Sequence, residues 1–393
     1  MKSWIRHFLL IILFVSAAKS HAQTEPVDKP KHIGLFLPLY LDSAYDATGN
    51  YRFDKIFPKF LSPGLEFYEG AQLALDSLKK EGLKLEISLY DTKSHTKSIQ
   101  DILQSEEFQS TELIIGHISP SEIRLLANEA YHKKIPFINA NYPNDGNIVN
   151  NPSLVILNST LKTHCEGIYK FLQKNYSTST ITVFGKNGLM EQRLKNYFSD
   201  AEKSTLSVPL KLKFVSVDNN INPVQLSKYL DSNIQNICVL ASLDENFGRS
   251  FCAQVSALGK SYNTTILGMP TWDNIDFLPA EYSGPEIIYS TPFYINPNDS
   301  LVRSIQQYFS NNYFMKGSDM IIRGFETTYH FAKLLKMFGS DLVTHIGSKK
   351  FEVINNFDIE PVYTNKQNTS PDYYENKKLY FVKRVDGKVT AVY

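Results

Sequence analysis

The chain has 393 residues, 42% hydrophobic and 21% charged, which excludes a disordered polymer and exceeds what one compact core usually holds. Charge is balanced, with 41 Lys and Arg against 40 Asp and Glu; without Lys2, Arg6 and Lys19 of the leader described next, the ratio is 38 to 40, a net −2. That excludes the basic excess needed to hold nucleic-acid phosphates.

Residues 1–23 read MKSWIRHFLLIILFVSAAKSHAQ, with Lys2 and Arg6 ahead of an apolar run from Phe8 to Ala18 and small Ser20 and Ala22 before Gln23. This is the pattern of a secretory signal peptide, residues 1–22, cleaved after Ala22. The apolar run falls well short of the roughly 20 residues a helix needs to cross a bilayer, and no later stretch is long enough. No cysteine lies near the cleavage site to accept a lipid. The mature protein is expected to be periplasmic, not membrane-spanning and monomeric.

After a linker, residues 23–31, short apolar runs alternate with amphipathic ones. IGLFLPLY (Ile33 to Tyr40) predicts a buried strand, and GLEFYEGAQLALDSLKKEG (Gly64 to Gly82) a helix whose Leu65, Tyr68, Ala71, Leu75 and Leu78 recur at three or four residues. Strand LEISLYD, helix TKSIQDILQSEEF, strand LIIGH, helix SPSEIRLLANEAYHKK and strand IPFINA follow. Repeated strand-then-helix units build a parallel sheet covered by helices. NYPNDGNIVNNPS (Asn141 to Ser153) interrupts the pattern, which then restarts and runs to strand TTILGM. IIYSTPFY, two further helices (SLVRSIQQYFSNNYF and RGFETTYHFAKLLKMFG) and strand-like tail segments complete the chain.

The expected fold is α/β, with two Rossmann-like lobes of mostly parallel sheet joined by a three-segment hinge. Lobe 1 takes residues 32–148 and 292–345, and lobe 2 takes 149–291 and 346–393. The crossings are placed near 145–153, 284–294 and 343–352.

Enzyme signatures are missing. There is no GxSxG, GxGxxG or HExxH, no complete phosphate loop and no histidine-carboxylate cluster with metal spacing. No catalytic residue, metal or other cofactor is implied. Cys165, Cys238 and Cys252 read as buried small hydrophobes, at least one thiol being free; a Cys238–Cys252 bond stays open. Segment Ser43 to Ser62, rich in Tyr and Phe, reads either as an aromatic loop packed over its own lobe or as a lid or partner surface.

Ligands of open parallel sheets bind outside the carboxyl ends of the strands. One such junction is Gly116-His117-Ile118-Ser119-Pro120-Ser121-Glu122, with Ser119 placed to cap, Pro120 at a first helical position and Glu122 completing a capping box. It reads equally as a capped helix or as a seat for an anionic ligand group. Asn139-Ala140-Asn141-Tyr142 ends the next strand on the same rim.

In order and spacing, IGLFLPL, FYEGAQLALDSLKKEG, LYDT, LIIGHISPSE and IPFINA resemble the first lobe of the type I periplasmic binding proteins, the leucine-binding-protein family. VFGKNGLMEQRL, CVLASLDENFG and ILGMPTW resemble the second lobe, and YFSNNYF with RGFETTYHFAKLLK the return to the first. FYEGAQLALDSLKKEGL, RGFETTYHFAKLL and YENKKLYFV are similar to envelope proteins of Bacteroidetes-type bacteria, some of which carry a LysM module; none is evident here. The resemblance implies carboxylate contacts at Pro120, Ser121, Ala140 and Tyr142, although Pro120 has no N–H and Tyr142 replaces a small hydroxyl residue. On lobe 2 it implies aromatic positions near Leu189 and Leu243 or Asp244, and an ammonium-binding acid near Trp272, which Asp244 or Glu245 could partly replace.

The expected ligand site is therefore Ser119, Ser121, Asn139, Ala140 and Tyr142 of lobe 1, with Asn158, Ser159, Asn187, Asp244 and Trp272 closing over it. The implied function is capture of a small polar ligand, amino acid or peptide-like, by hinge closure for an ABC-type uptake system with an inner-membrane permease as partner. The alternative is a non-transport envelope sensor, or a docking protein for cell-wall enzymes, on the same fold.

Overall fold

Residues 29–392, apart from Lys260 and Lys366, are described by a computed structural model; the expected signal peptide and most of the expected linker lie outside the described residues. The strands are β1 (Lys31–Leu37), β2 (Leu85–Asp91), β3 (Leu113–Gly116), β4 (Phe137–Asn139), β5 (Leu154–Ile156), β6 (Thr180–Gly185), β7 (Lys211–Ser216), β8 (Asn236–Leu240), β9 (Thr264–Gly268), β10 (Glu286–Thr291), β11 (Ile359–Val362), β12 (Tyr373–Asn376), β13 (Tyr380–Val385) and β14 (Lys388–Val392). They form two seven-stranded sheets of the same order, β2-β1-β3-β4-β5-β12-β11 and β7-β6-β8-β9-β10-β13-β14.

The first five strands of each sheet are parallel, and antiparallel pairs close one edge of each. Central strands β3, β8 and β9 are buried at every residue, as a sheet covered on both faces requires. Edge strands β2 and β7 instead carry exposed Glu86, Lys211 and Lys213, charges that discourage edge-to-edge pairing.

The longer helices are α1 (Ser62–Lys80), α2 (Ile123–Lys133), α3 (Leu161–Tyr176), α4 (Leu189–Ser204), α5 (Glu245–Ala257), α6 (Ser300–Tyr313) and α7 (Asp319–Phe338). Side chains fix several starts: Asp244 accepts from the N–H groups of Asn246 and Phe247, Asp299 from Leu301 and Val302, and Ser318 from Ile321. Helices α1 and α7 cross at glycines. A Cβ on Gly70 would lie 1.9 Å from the Ile321 carbonyl oxygen, and one on Gly324 would lie 2.1 Å from that of Phe67.

Where the helices and sheets pack, two lobes result. Leu35, Phe67, Ile115, Phe331, Ile346 and Phe357 share a core on the first sheet, and Cys165, Tyr169, Phe198 and Phe381 share one on the second.

The sheet pairings correct the expected boundaries. β5 pairs with β4 and β12 in the first sheet, and β11 lies there too, although the sequence pattern puts residues 149–291 and 346–393 in lobe 2. The three-residue β5 follows a proline- and asparagine-rich loop that reads like a linker, and this hides it. The chain crosses between sheets at 157–160, 292–299 and 377–379, against expected crossings near 145–153, 284–294 and 343–352. The expected helix over TKSIQDILQSEEF is two short ones, Ile99–Leu103 and Glu106–Gln109, because Ser105 caps a new start.

Candidate functional site

A cavity of about 860 Å³ opens between the lobes. The loop after β4 (Tyr142 to Asn147) and Arg323 of α7 line it from lobe 1. Arg193 and Tyr197 of α4, with Thr271, Asp273 and Asn274 after β9, line it from lobe 2. The crossings and the strand ends beside them contribute Asn158, Thr160, Thr291, Glu375 and Lys377.

Hydrogen bonds tie the first and third crossings together. Ser159 Oγ donates to the Asn376 carbonyl at 2.6 Å, and the Thr160 N–H donates to Glu375 Oε1 at 2.7 Å. Lys377 Nζ bridges Glu375 Oε2 at 2.6 Å and Thr163 Oγ1 at 2.8 Å. In the second crossing, the Tyr294 N–H donates to Asn355 Oδ1 at 2.8 Å. Asn355 in turn donates through its own N–H (3.1 Å) and through Nδ2 (3.0 Å) to the buried Glu326 carboxyl of α7. Burial pushes that carboxyl up to about 7.

Of the ten expected site residues, Tyr142, Asn158 and Ser159 line the cavity. Ser159 is fully buried and its hydroxyl is committed to the crossing. Asn139 is also fully buried: its side chain closes the turn onto the Tyr142 N–H and carbonyl at 3.0 and 2.7 Å, so it positions Tyr142. Ala140 is a core residue.

Ser119 and Ser121 do not line the cavity. Their hydroxyls lie 3.1 Å apart, and Lys93 Nζ donates to Ser119 Oγ at 2.8 Å and pairs with Glu122. Helix α2 starts three residues after Pro120, with Glu122 at its N-cap and no side-chain cap, so only the half of the capping box running from the Ser119 N–H to Glu122 forms. Asn187 lines a separate cavity of about 250 Å³ and accepts from Ser216 Oγ at 2.6 Å. Asp244 caps α5 and pairs with Lys186 at 2.7 Å, while its neighbour Leu243 faces the main cavity. Trp272 is fully buried in the lobe-2 core, and Asp273 beside it reaches the cavity.

The charged cavity groups missed by sequence reasoning include Arg193, Glu375 and Lys377, and with them Asp273 and Arg323. The cleft walls withdraw Asp273 from bulk water and push its carboxyl upward, and Thr291 Oγ1 donates to it at 3.4 Å. The Arg323 guanidinium lies 3.9 Å from the centre of the Phe293 ring. Burial, and then the Arg323 charge, hold His117 down to about 4, so that ring is neutral. A strand-end position marked Asp273; an arginine among the apolar residues of MIIRGF marked Arg323.

Among the described residues, no group of three or more His, Cys, Asp or Glu side chains has metal-holding geometry, and no helix is long and apolar enough to cross a membrane. Cys165, Cys238 and Cys252 are free and buried.

Two such sheets with a cleft at their strand ends define the two-lobed fold of the type I periplasmic binding proteins. Solved structures agree. The chain is similar to a branched-chain amino acid ABC transporter periplasmic ligand-binding protein from Burkholderia xenovorans, at 12% identity and a TM-score of 0.61, covering 92% of this chain and 94% of that one. It is similar to an ABC transporter substrate-binding protein from Desulfitobacterium hafniense in complex with Leu, at 12% identity and a TM-score of 0.58, covering 93% and 100%. A third likeness is to full-length LpoA from Haemophilus influenzae, at 13% identity and a TM-score of 0.57, covering 93% of this chain and 59% of that one. No protein-family model and no curated protein matches the sequence.

Proposed function

We propose that the protein is an exported solute-binding protein that takes a small polar ligand, amino acid or peptide-like, into the interlobe cleft and delivers it to an ABC-type uptake system. The observation that carries this reading is the cavity itself. Its volume of about 860 Å³ suits a small molecule, and its polar walls come from both lobes above three hydrogen-bonded crossings. Asp273 takes the role of the ammonium-binding acid that the resemblance placed one residue earlier. A ligand touching Tyr142 on one lobe and Asp273 on the other favours the closed arrangement, because only closure supplies both contacts.

A thermal-shift panel of amino acids and dipeptides tests the reading. A ligand at a hundredfold excess over its Kd adds about 2.7 kcal/mol of stability. A raised melting temperature with a contracted radius of gyration supports capture by closure; no response to any compound opposes it. The second reading, a non-transport envelope protein that docks a cell-wall enzyme, draws on exposed Leu41, Ile56, Phe57 and Phe60 at the aromatic loop. Under that reading, polar substitutions at Ile56 and Phe57 abolish partner capture without changing the melting temperature.

A further inference from the structure

We infer that Arg323 is the anchor for a carboxylate group of the ligand, so the cleft selects acids over the corresponding amides. This rests on the solute-binding reading and names the ligand chemistry of that site. The two strand-end serines expected to hold an anionic ligand group are unsuited to it: Ser121 is exposed outside the cavity, and Ser119 is engaged by Lys93. Arg323 lines the cavity instead.

Three features prepare this arginine for an anion. Its position is fixed, because the next residue, Gly324, lies in the close crossing of α7 with α1. One face of the guanidinium is covered by Phe293 at 3.9 Å, which orients the planar fork. Its Nε is buried with no hydrogen-bond partner, and no ion pair within 4 Å involves it among the described residues.

Arg323 is half-buried, and a charge partly withdrawn from water without a partner is destabilising; such groups persist where something else supplies the counter-charge. The nearby acids do so only through space: Glu326, whose carboxyl accepts from Asn355, and then Asp319 and Asp273 favour the charged guanidinium, but none of them pairs with it within 4 Å among the described residues. Burial draws the guanidinium below its ordinary range, which a bound anion would reverse. A carboxylate fits the planar fork with two parallel hydrogen bonds. Asp273 on the opposite lobe adds an acid to the charged groups of the cavity wall, which also include Asp145, Glu166, Glu375, Lys162, Arg193 and Lys377.

The test measures affinities by calorimetry for L-leucine, L-glutamate and glycylglycine, for their C-terminal amides, and for inorganic phosphate. The proteins are the wild type, R323Q and R323K. The expected result is binding of at least one acid, with a loss of roughly 10- to 150-fold in its amide and in R323Q, as charge-assisted hydrogen bonds imply. R323K keeps the charge without the fork and is expected to fold and to bind the acid weakly. Because Arg323 has no ion-pair partner without ligand, R323Q is expected to keep or raise the melting temperature of the free protein. Equal binding of acid and amide, or equal binding to wild type and R323Q, overturns the inference while leaving solute capture intact. Binding of phosphate but of no carboxylate also overturns it. No binding of any probe to the wild type removes both the inference and the solute-binding reading.

Discussion

Glu326 offers a sharp test of how the cleft wall is built, since it holds Asn355 and, through it, the second crossing. The perturbation is Glu326→Gln, which has the shape of the protonated acid. Burial raises the carboxyl from 4.5 to about 7 in the folded protein. Below about pH 4.5 the side chain is protonated whether the chain is folded or not, and its contribution is fully present. Between 4.5 and 7 the unfolded chain releases the proton and the folded one keeps it, so stability is lost as pH rises through that window. At 1.36 kcal/mol per pH unit the loss is about 3 kcal/mol by about pH 8. Glutamine does not titrate, so the stability of E326Q relative to the wild type is expected to rise by about that amount across the window and up to about pH 8. Urea unfolding at several pH values measures it. Buried His117 and His330, held down to about 4, titrate in both proteins and cancel in the difference. A difference that stays flat across the window, or falls, refutes the reasoning.

Replacing Gly324 by Ala is expected to cost about 1–3 kcal/mol or more, because the new methyl meets the Phe67 backbone; an unchanged urea midpoint would show that the helices part easily. The three thiols should resist a disulfide-exchange reagent at about pH 8 in the native protein and all react once it is unfolded, since burial pushes Cys238 up to about 12 and raises Cys165 and Cys252 as well. Recovery of a single thiol would reveal a Cys238–Cys252 bond. For any ligand found, Tyr142→Ala is expected to weaken binding at least tenfold, on the order of 1.4 kcal/mol, and Ser121→Ala to leave it unchanged. The reverse order would restore the site read from the strand-end serines.

Much of the architecture was legible in the sequence because long elements carry their own signal. NICVL is apolar at most positions, and the three-to-four-residue spacing in GLEFYEGAQLALDSLKKEG gives its helix to within two residues at each end. The lobe boundaries were not legible: β5 and β12 span three and four residues, and they pair with each other across a long stretch of chain. Of the expected site residues, strand ends placed Tyr142 on the cavity wall, whereas Trp272 is buried and its neighbour Asp273 lines the cavity. Arg323 belongs to a helix that packs closely on α1 and against the first sheet, a tertiary relation that no local pattern encodes.

The central claim is that the interlobe cleft holds a small molecule. Native mass spectrometry of the gently purified protein measures this most directly. The expected spectrum shows one small molecule per chain, released on activation and absent from a protein carrying both Arg323→Gln and Tyr142→Ala. A spectrum with the bare chain mass in the wild type, or with the same adduct in the double variant, would contradict the account.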